Sequence, residues 1–213
     1  MNLILFGPPG AGKGTQAQQI VKKHNYFQLS TGDLLRNEVK KKTNLGVEIE
    51  KKISKGNFVT DKIVNDLILS SLRELKFRDR IIFDGYPRTI DQSKSLDSIL
   101  AEFNQKIDLI ISLHVPRETI EKRISGRVTC DKCNVTLNEY FNINEIKLHP
   151  CGSDGFVKRK DDNMETFMKR YDIYTKTTKP VIDYLSQNIN FHELDGTLKI
   201  DEITNKIDAF INV

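Results

Sequence analysis

Leu3-Ile4-Leu5-Phe6-Gly7-Pro8-Pro9-Gly10-Ala11-Gly12-Lys13-Gly14-Thr15 decides how the chain is read. The four apolar residues predict a buried strand, the glycines a tight turn, and the pattern from Lys13 to His24 a helix. Between a strand and a helix, a glycine-rich string is a phosphate cradle. Glycine lets the backbone curl until successive N–H groups point inward, and the helix N-terminus adds its positive end. Lys13 then stands as a point charge near the β- and γ-phosphates of a bound nucleotide. The strict pattern puts Ser or Thr directly after the lysine, but here Gly14 intervenes and Thr15 follows. The usual magnesium-ligating hydroxyl is therefore displaced. The metal is expected on phosphates and water, with Asp84 as an outer-shell anchor.

Outward from this motif, short apolar runs alternate with helical patterns. Residues 80–84 and 107–115 are clear strand candidates, and 27–30 and 190–194 are weaker ones. Helical patterns cover 32–42, 61–75, 91–103, 117–125, 162–186 and 201–211, with Pro180 expected to kink or divide the longest. Ser30-Thr31-Gly32-Asp33 offers capping oxygens to the second helix. The rhythm predicts an α/β fold, a parallel sheet with helices on both faces. From Thr129 to about Lys158 it breaks, and Asn, Gly and all three cysteines gather. That stretch is expected to be a small inserted unit, too poor in aliphatics for a core of its own.

Composition narrows the function classes. The chain has 213 residues, and its 33 Lys+Arg against 29 Asp+Glu leave +4, too small and dispersed to argue for nucleic acid. No apolar run approaches the roughly 20 residues needed to span a bilayer. The first six residues lack a basic stretch, so no signal peptide is expected. Three cysteines cannot pair off among themselves, which disfavours a disulfide scaffold. The expectation is a cytosolic protein.

Asp84-Gly85-Tyr86-Pro87-Arg88 closes a predicted strand, Gln92 follows one turn later, and Thr31 and Arg36 start the second helix. Open α/β sheets bind ligands at such strand ends. Arginine suits phosphate there because its planar fork offers paired donors. A second anion site beside the first is the expectation.

Gly7–Thr15, Ser30-Thr31-Gly32-Asp33 and Asp84–Arg88 together closely resemble the adenylate kinase family, the ATP:AMP phosphotransferases. Gly126-Arg127, Arg159-Lys160-Asp161-Asp162, Arg170 and Asp195-Gly196 extend the resemblance over essentially the whole chain. The insert is similar to the long, zinc-binding lid of bacterial members. The resemblance implies the P-loop nucleoside monophosphate kinase fold, with a core of residues 1–29, 60–125 and 163–213. Residues 30–59 would form an AMP-binding unit and 126–162 a lid. No exposed apolar stripe argues for association, so a monomer is expected, with no nucleic-acid or membrane partner.

The activity implied is reversible, magnesium-dependent transfer of the terminal phosphoryl of ATP to AMP, giving two ADP. Lys13, Arg88, Arg127, Arg159 and Arg170 would surround the transferring group. ATP would meet Gly10, Ala11, Gly12, Lys13, Gly14, Thr15, Arg123, Arg127, Thr136, Leu137 and Leu198. AMP would meet Thr31, Arg36, Asn57, Phe58, Val59, Gly85, Tyr86, Pro87, Arg88, Gln92, Arg159 and Arg170. Leu137 and Asn138 depart from the aromatic and histidine common near the adenine of ATP, Val128 from a second arginine, and Leu198 from a polar residue. Ile53 and Val59 keep the apolar surroundings of an AMP base.

No Ser-His-Asp or Cys-His arrangement is evident, and phosphoryl transfer to a phosphate oxyanion needs none. Cys130-Asp131-Lys132-Cys133 and Cys151-Gly152-Ser153-Asp154 supply three thiolates and a carboxylate, a set suited to structural zinc. His149 competes with Asp154 for the fourth place, and some adenylate kinase lids look like this with Asp fourth. His24, His114 and His192 read as structural, and Lys40–Lys42 as a solvated helix end. Two rivals remain: a kinase for another nucleoside monophosphate such as UMP or CMP, and a nucleotide-dependent switch.

Overall fold

The computed structural model describes residues 1–74, 79–133, 135–159 and 162–212. Leu75, Lys160 and Asp161, named above in a helix and a motif, lie outside them. Five strands, β1 (Leu3–Phe6), β2 (Phe27–Ser30), β3 (Ile81–Asp84), β4 (Leu109–His114) and β8 (Asn190–Asp195), form one sheet in the order β2-β3-β1-β4-β8. Every pairing is parallel, for example Leu3 opposite Ile82 on one side and Leu109 on the other.

β1 is buried at all four positions because it is central and covered on both faces. Its alternate side chains feed two apolar clusters. Ile4 and Phe6 join Leu29, Ile68, Phe83 and Val181, while Leu3 and Leu5 join Ile20, Ile111, Phe167 and Ile207. Helices α1 (Lys13–His24) and α10 (Ile200–Ile211) lie over the second cluster. Over the first lie α4 (Asp61–Glu74), α5 (Ile90–Ala101) and α9 (Lys179–Leu185). Helix α2 (Thr31–Lys40) starts where capping was expected, with Ser30 Oγ accepting from Asp33 N at 3.3 Å.

Helix α3 (Asn44–Ile53), which no pattern predicted, starts on a Thr43 cap and packs Ile49 into the first cluster. The pattern over 162–186 resolves into α8 (Met164–Ile173), a π-helical turn (Tyr174–Thr178) and α9. Pro180 explains the division. It has no N–H for the preceding turn and its ring crowds the carbonyl four residues back, so the helix widens just before it.

Helix α6 (Arg117–Ser125) leads from β4 into the cysteine-bearing stretch. There a small antiparallel sheet forms from β5 (Arg127–Cys130), β6 (Thr136–Asn138) and β7 (Phe156–Val157), with the short α7 (Ile143–Lys147) between. Thr129 faces Thr136 on one side and Val157 on the other. Among the described residues, no helix is long and apolar enough to cross a membrane.

Candidate active site at the carboxyl ends of the parallel strands

The loop after β1 lies at a switch in strand order, since the chain first goes to one side of β1 and later to the other. Gly10 has φ +82°, and a Cβ there would stand 2.7 Å from Ile120 Cγ2, so the cradle needs glycine for both conformation and space. Lys13 Nζ donates to Gly7 O at 2.8 Å and Pro8 O at 3.1 Å, which folds the ammonium over the loop. Burial brings its pKa down to about 8. Asp84 opposes that shift, while Arg88, Arg170 and Arg127 reinforce it. The carboxylate lies against the first turn of α1: Asp84 Oδ2 is 3.9 Å from where a Cβ on Gly14 would be, and it accepts from Gln28 Nε2 at 3.0 Å.

On the neighbouring strand end, Gly85 O accepts from Thr31 Oγ1 at 2.8 Å and from Arg88 Nε at 2.6 Å. Gly85 has φ +75°, and a Cβ there would stand 2.9 Å from Arg88 Nη2. The Arg88 guanidinium lies over the Phe58 ring, 4.9 Å from its centroid. Its backbone N–H donates to Gln92 Oε1 at 2.7 Å, and its carbonyl accepts from Thr178 Oγ1, on the π-turn, at 3.3 Å. Burial lowers Arg88 to about 10, with Arg170 and Arg36 adding to the shift and Asp84 opposing it. Arg36 Nη2 donates to Asp33 Oδ1 at 2.5 Å. Val59 and Tyr86 are buried in the first cluster, Pro87 follows a cis peptide bond, and Asn57 N donates to Lys52 O.

Three arginines come from the stretch around the small sheet. Arg123 clamps two loops, donating to Ala11 O at 3.1 Å and Gly196 O at 2.8 Å. Arg127 pairs with Asp162, and Arg159 Nη2 donates to Thr136 Oγ1 at 3.3 Å. Burial lowers Arg159 to about 10, helped by Arg36 and Arg127 and opposed by Asp162 and Asp33. The named cations Lys13, Arg36, Arg88, Arg127, Arg159 and Arg170 thus feel one another across separate elements. Leu137 lies half-buried opposite Val128, and Leu198 packs on the second cluster.

The donor cluster of the small sheet differs from the expectation in its fourth member. Sγ of Cys130, Cys133 and Cys151 and a ring nitrogen of His149 lie within 4.8 Å of one another, and Asp154 is not in the group. Cys130 and Cys151 Sγ are 3.6 Å apart, and Cys133 Sγ is 3.1 Å from His149 Nε2. Asp154 is exposed in the loop before β7, whereas His149 is turned inward by its edge contact with Phe156, centroids 5.2 Å apart. A tetrahedron with metal–sulfur bonds of about 2.3 Å has sulfur–sulfur edges of about 3.8 Å. The donor set therefore fits a tetrahedral thiophilic ion, and the buried His149 Nδ1 has no hydrogen-bond partner among the described residues.

Sequence reasoning did not single out Asp61, Gln28 or Thr178, which hold the named residues in place. Their signal lies in tertiary contact, not in a motif.

A triphosphate cradle on the central strand, facing a second cluster of cations on the next strand end, defines an α/β protein of the P-loop nucleotide kinase class. The family model for adenylate kinase matches residues 5–190. An adenylate kinase of Pelagibacter ubique (strain HTCC1062) is 64% identical over 213 residues, covering the whole of both chains. Adenylate kinases of Thermodesulfovibrio yellowstonii and Pyrococcus abyssi are 40% and 39% identical, covering 99% and 96% of those proteins and 99% and 100% of this chain. The chain belongs to the adenylate kinase family.

Proposed function

We propose that the chain catalyses magnesium-dependent, reversible transfer of the terminal phosphoryl group of ATP to AMP, giving two ADP. The observation that carries this reading is geometric: Lys13 Nζ is folded over the P-loop by Gly7 O and Pro8 O, and Arg88 stands on the neighbouring strand end with its Nε on Gly85 O. Burial, reinforced by Arg88, Arg170 and Arg127, depresses Lys13 of the triphosphate cradle to about 8, although Asp84 opposes the shift. A protein that crowds cations from separate elements around one loop is built to be completed by polyanions.

The acceptor phosphate is already an oxyanion, so no general base is needed. The obstacle is repulsion between two nucleotides that must meet in line, and positioned cations answer it. Lys13 and the P-loop amides hold the donor phosphates, and Thr31, Arg36 and Arg88 hold the acceptor phosphate. Arg127, Arg159 and Arg170 stabilise charge spreading over the transferring group. Ile53, Phe58 and Val59 give the acceptor base its apolar surroundings, with Gln92 on its polar edge. Arg123 spans the Ala11 and Gly196 carbonyls and exchanges that contact for the donor nucleotide.

Residues 126–162 close over the site as a lid and exclude water, a motion known for adenylate kinases as a class. Asp84, which accepts from Gln28, would anchor the water of a magnesium ion bound with the triphosphate, and that ion would supply charge neutralisation. Zinc would be held by Cys130, Cys133, Cys151 and His149, and would cross-link the small sheet to the loop after α7. The enzyme is read as monomeric.

A coupled assay with ATP and each of AMP, UMP and CMP, with and without a magnesium chelator, tests the reading. ADP formation that needs both AMP and magnesium supports it. Preference for a pyrimidine monophosphate, or slow hydrolysis indifferent to acceptor, overturns it.

A further inference from the structure

Asp61, the first residue of α4, touches two groups of the Arg88 loop at once. Its Oδ1 accepts from Gln92 Nε2 at 2.7 Å and its Oδ2 from Thr89 Oγ1 at 2.9 Å. The other end of the Gln92 amide accepts from the Arg88 backbone N–H at 2.7 Å, and Thr89 Oγ1 caps Gln92 N at 3.1 Å. Gln92 is only 2% exposed, so these partners stand where water otherwise would.

A primary amide carries two N–H donors and two lone pairs. A carboxylate only accepts and a backbone N–H only donates. The two neighbours therefore fix which way round the amide sits. Turned over, the amide would set oxygen against the carboxylate and NH2 against the Arg88 N–H, leaving buried groups opposed. In the observed orientation one N–H and one lone pair remain unused among the described residues, in a fixed order.

We propose that Asp61 is a positioning residue that sets the purine specificity of the acceptor site, by locking the Gln92 amide in the orientation that reads a 6-aminopurine. The inference rests on the acceptor assignment made above. Adenine presents a ring-nitrogen acceptor beside a 6-amino donor, which complements an N–H and a lone pair. Hypoxanthine presents the reverse, an N1–H donor beside a 6-oxo acceptor, and meets like with like. The Arg88 N–H alone holds the amide through one neutral hydrogen bond. The carboxylate adds a charge-assisted bond, the stronger of the two, and its removal frees the amide to turn.

The test compares kcat/KM for AMP and IMP, with ATP as donor, in the 213-residue chain and in its Asp61→Ala variant. The wild type is expected to prefer AMP, and Asp61→Ala to narrow the AMP:IMP ratio at least about tenfold. Asp61→Asn keeps an acceptor oxygen and is expected to fall between; Asp61→Leu, branched at Cγ as aspartate is, replaces the alanine variant should that one unfold. A merely structural role lowers both substrates together, so an unchanged ratio in a folded Asp61→Ala or Asp61→Leu overturns the proposal. A wild type that phosphorylates IMP as readily as AMP, or neither, overturns the acceptor assignment itself before any variant is compared.

Discussion

Asp162 grips Arg127 with both carboxylate oxygens, Oδ2 accepting from Nε at 2.7 Å and Oδ1 from the terminal guanidinium nitrogen. The Asp162 side chain is 1% exposed and that of Arg127 16%. Such a pair fixes the plane of the guanidinium and not merely its charge. Asp162→Ala leaves a largely buried cation without this partner and is expected to lower stability by about 3 kcal/mol in denaturant titration. Arg127→Lys keeps the charge but loses the fork, so kcat should fall at least about tenfold. Wild-type turnover in Arg127→Lys would place this arginine outside the reacting shell.

The small sheet yields a prediction about metal. His149→Ala is expected to lose the ion, measured by emission spectroscopy on protein purified without chelator, and to lower the Tm. Asp154→Ala is expected to leave both as in the wild type, because Asp154 lies outside the donor cluster. A strong chelator should lower Tm more than it lowers activity at room temperature. Metal retained in His149→Ala and lost in Asp154→Ala would reverse the assignment of the fourth ligand.

Lys13 links nucleotide binding to pH. Burial brings it to about 8, against an ordinary value of 10.5. Between those values the unfolded chain holds a proton that the folded chain lacks, so this group contributes stability that rises with pH across the window. A triphosphate beside Lys13 favours the ammonium, so binding above pH 8 takes up a proton and weakens as pH rises. Calorimetry at pH 8.5 in two buffers of different ionisation enthalpy measures that uptake, and its absence would separate Lys13 from the phosphates.

Gln16 follows the P-loop on α1, and its buried amide is held from α10. Oε1 accepts from Thr204 Oγ1 at 2.9 Å, and Nε2 donates to Ile200 O at 3.1 Å. Thr204→Val keeps the shape and removes the donor, and is expected to cost about 1–3 kcal/mol of stability. The KM for ATP should rise more than that for AMP, since α1 carries the donor loop. Equal changes in both would limit the contact to a structural role.

Strands β1, β3 and β4 were legible because burial on both faces writes them as apolar runs, while the edge strands β2 and β8, partly exposed, gave a weaker signal; the P-loop was legible because its glycines have a local cause. Ser30 showed as a cap for the same local reason. Helix α3 went unpredicted although Thr43 caps it and Leu45, Ile49 and Ile53 recur at four-residue spacing; its first turn carries no acidic residue and Gly46 interrupts the pattern. The π-turn was foreshadowed by Pro180 as a break, but its widened form depends on neighbours. His149 lies sixteen residues from Cys133, and the edge contact with Phe156 that turns it inward forms only once the stretch has folded, whereas Asp154 merely repeated a spacing. Asp61 meets Gln92 across thirty-one residues, a contact no motif announces.

The most direct measurement is a crystal structure with two adenosines joined through a chain of phosphates. The expected result is one nucleoside in the P-loop cleft and the other against Phe58 and Val59, with Lys13, Arg88, Arg127, Arg159 and Arg170 all within hydrogen-bond distance of the chain. A single bound nucleoside, with those arginines turned to solvent, would contradict end-to-end transfer between two nucleotides.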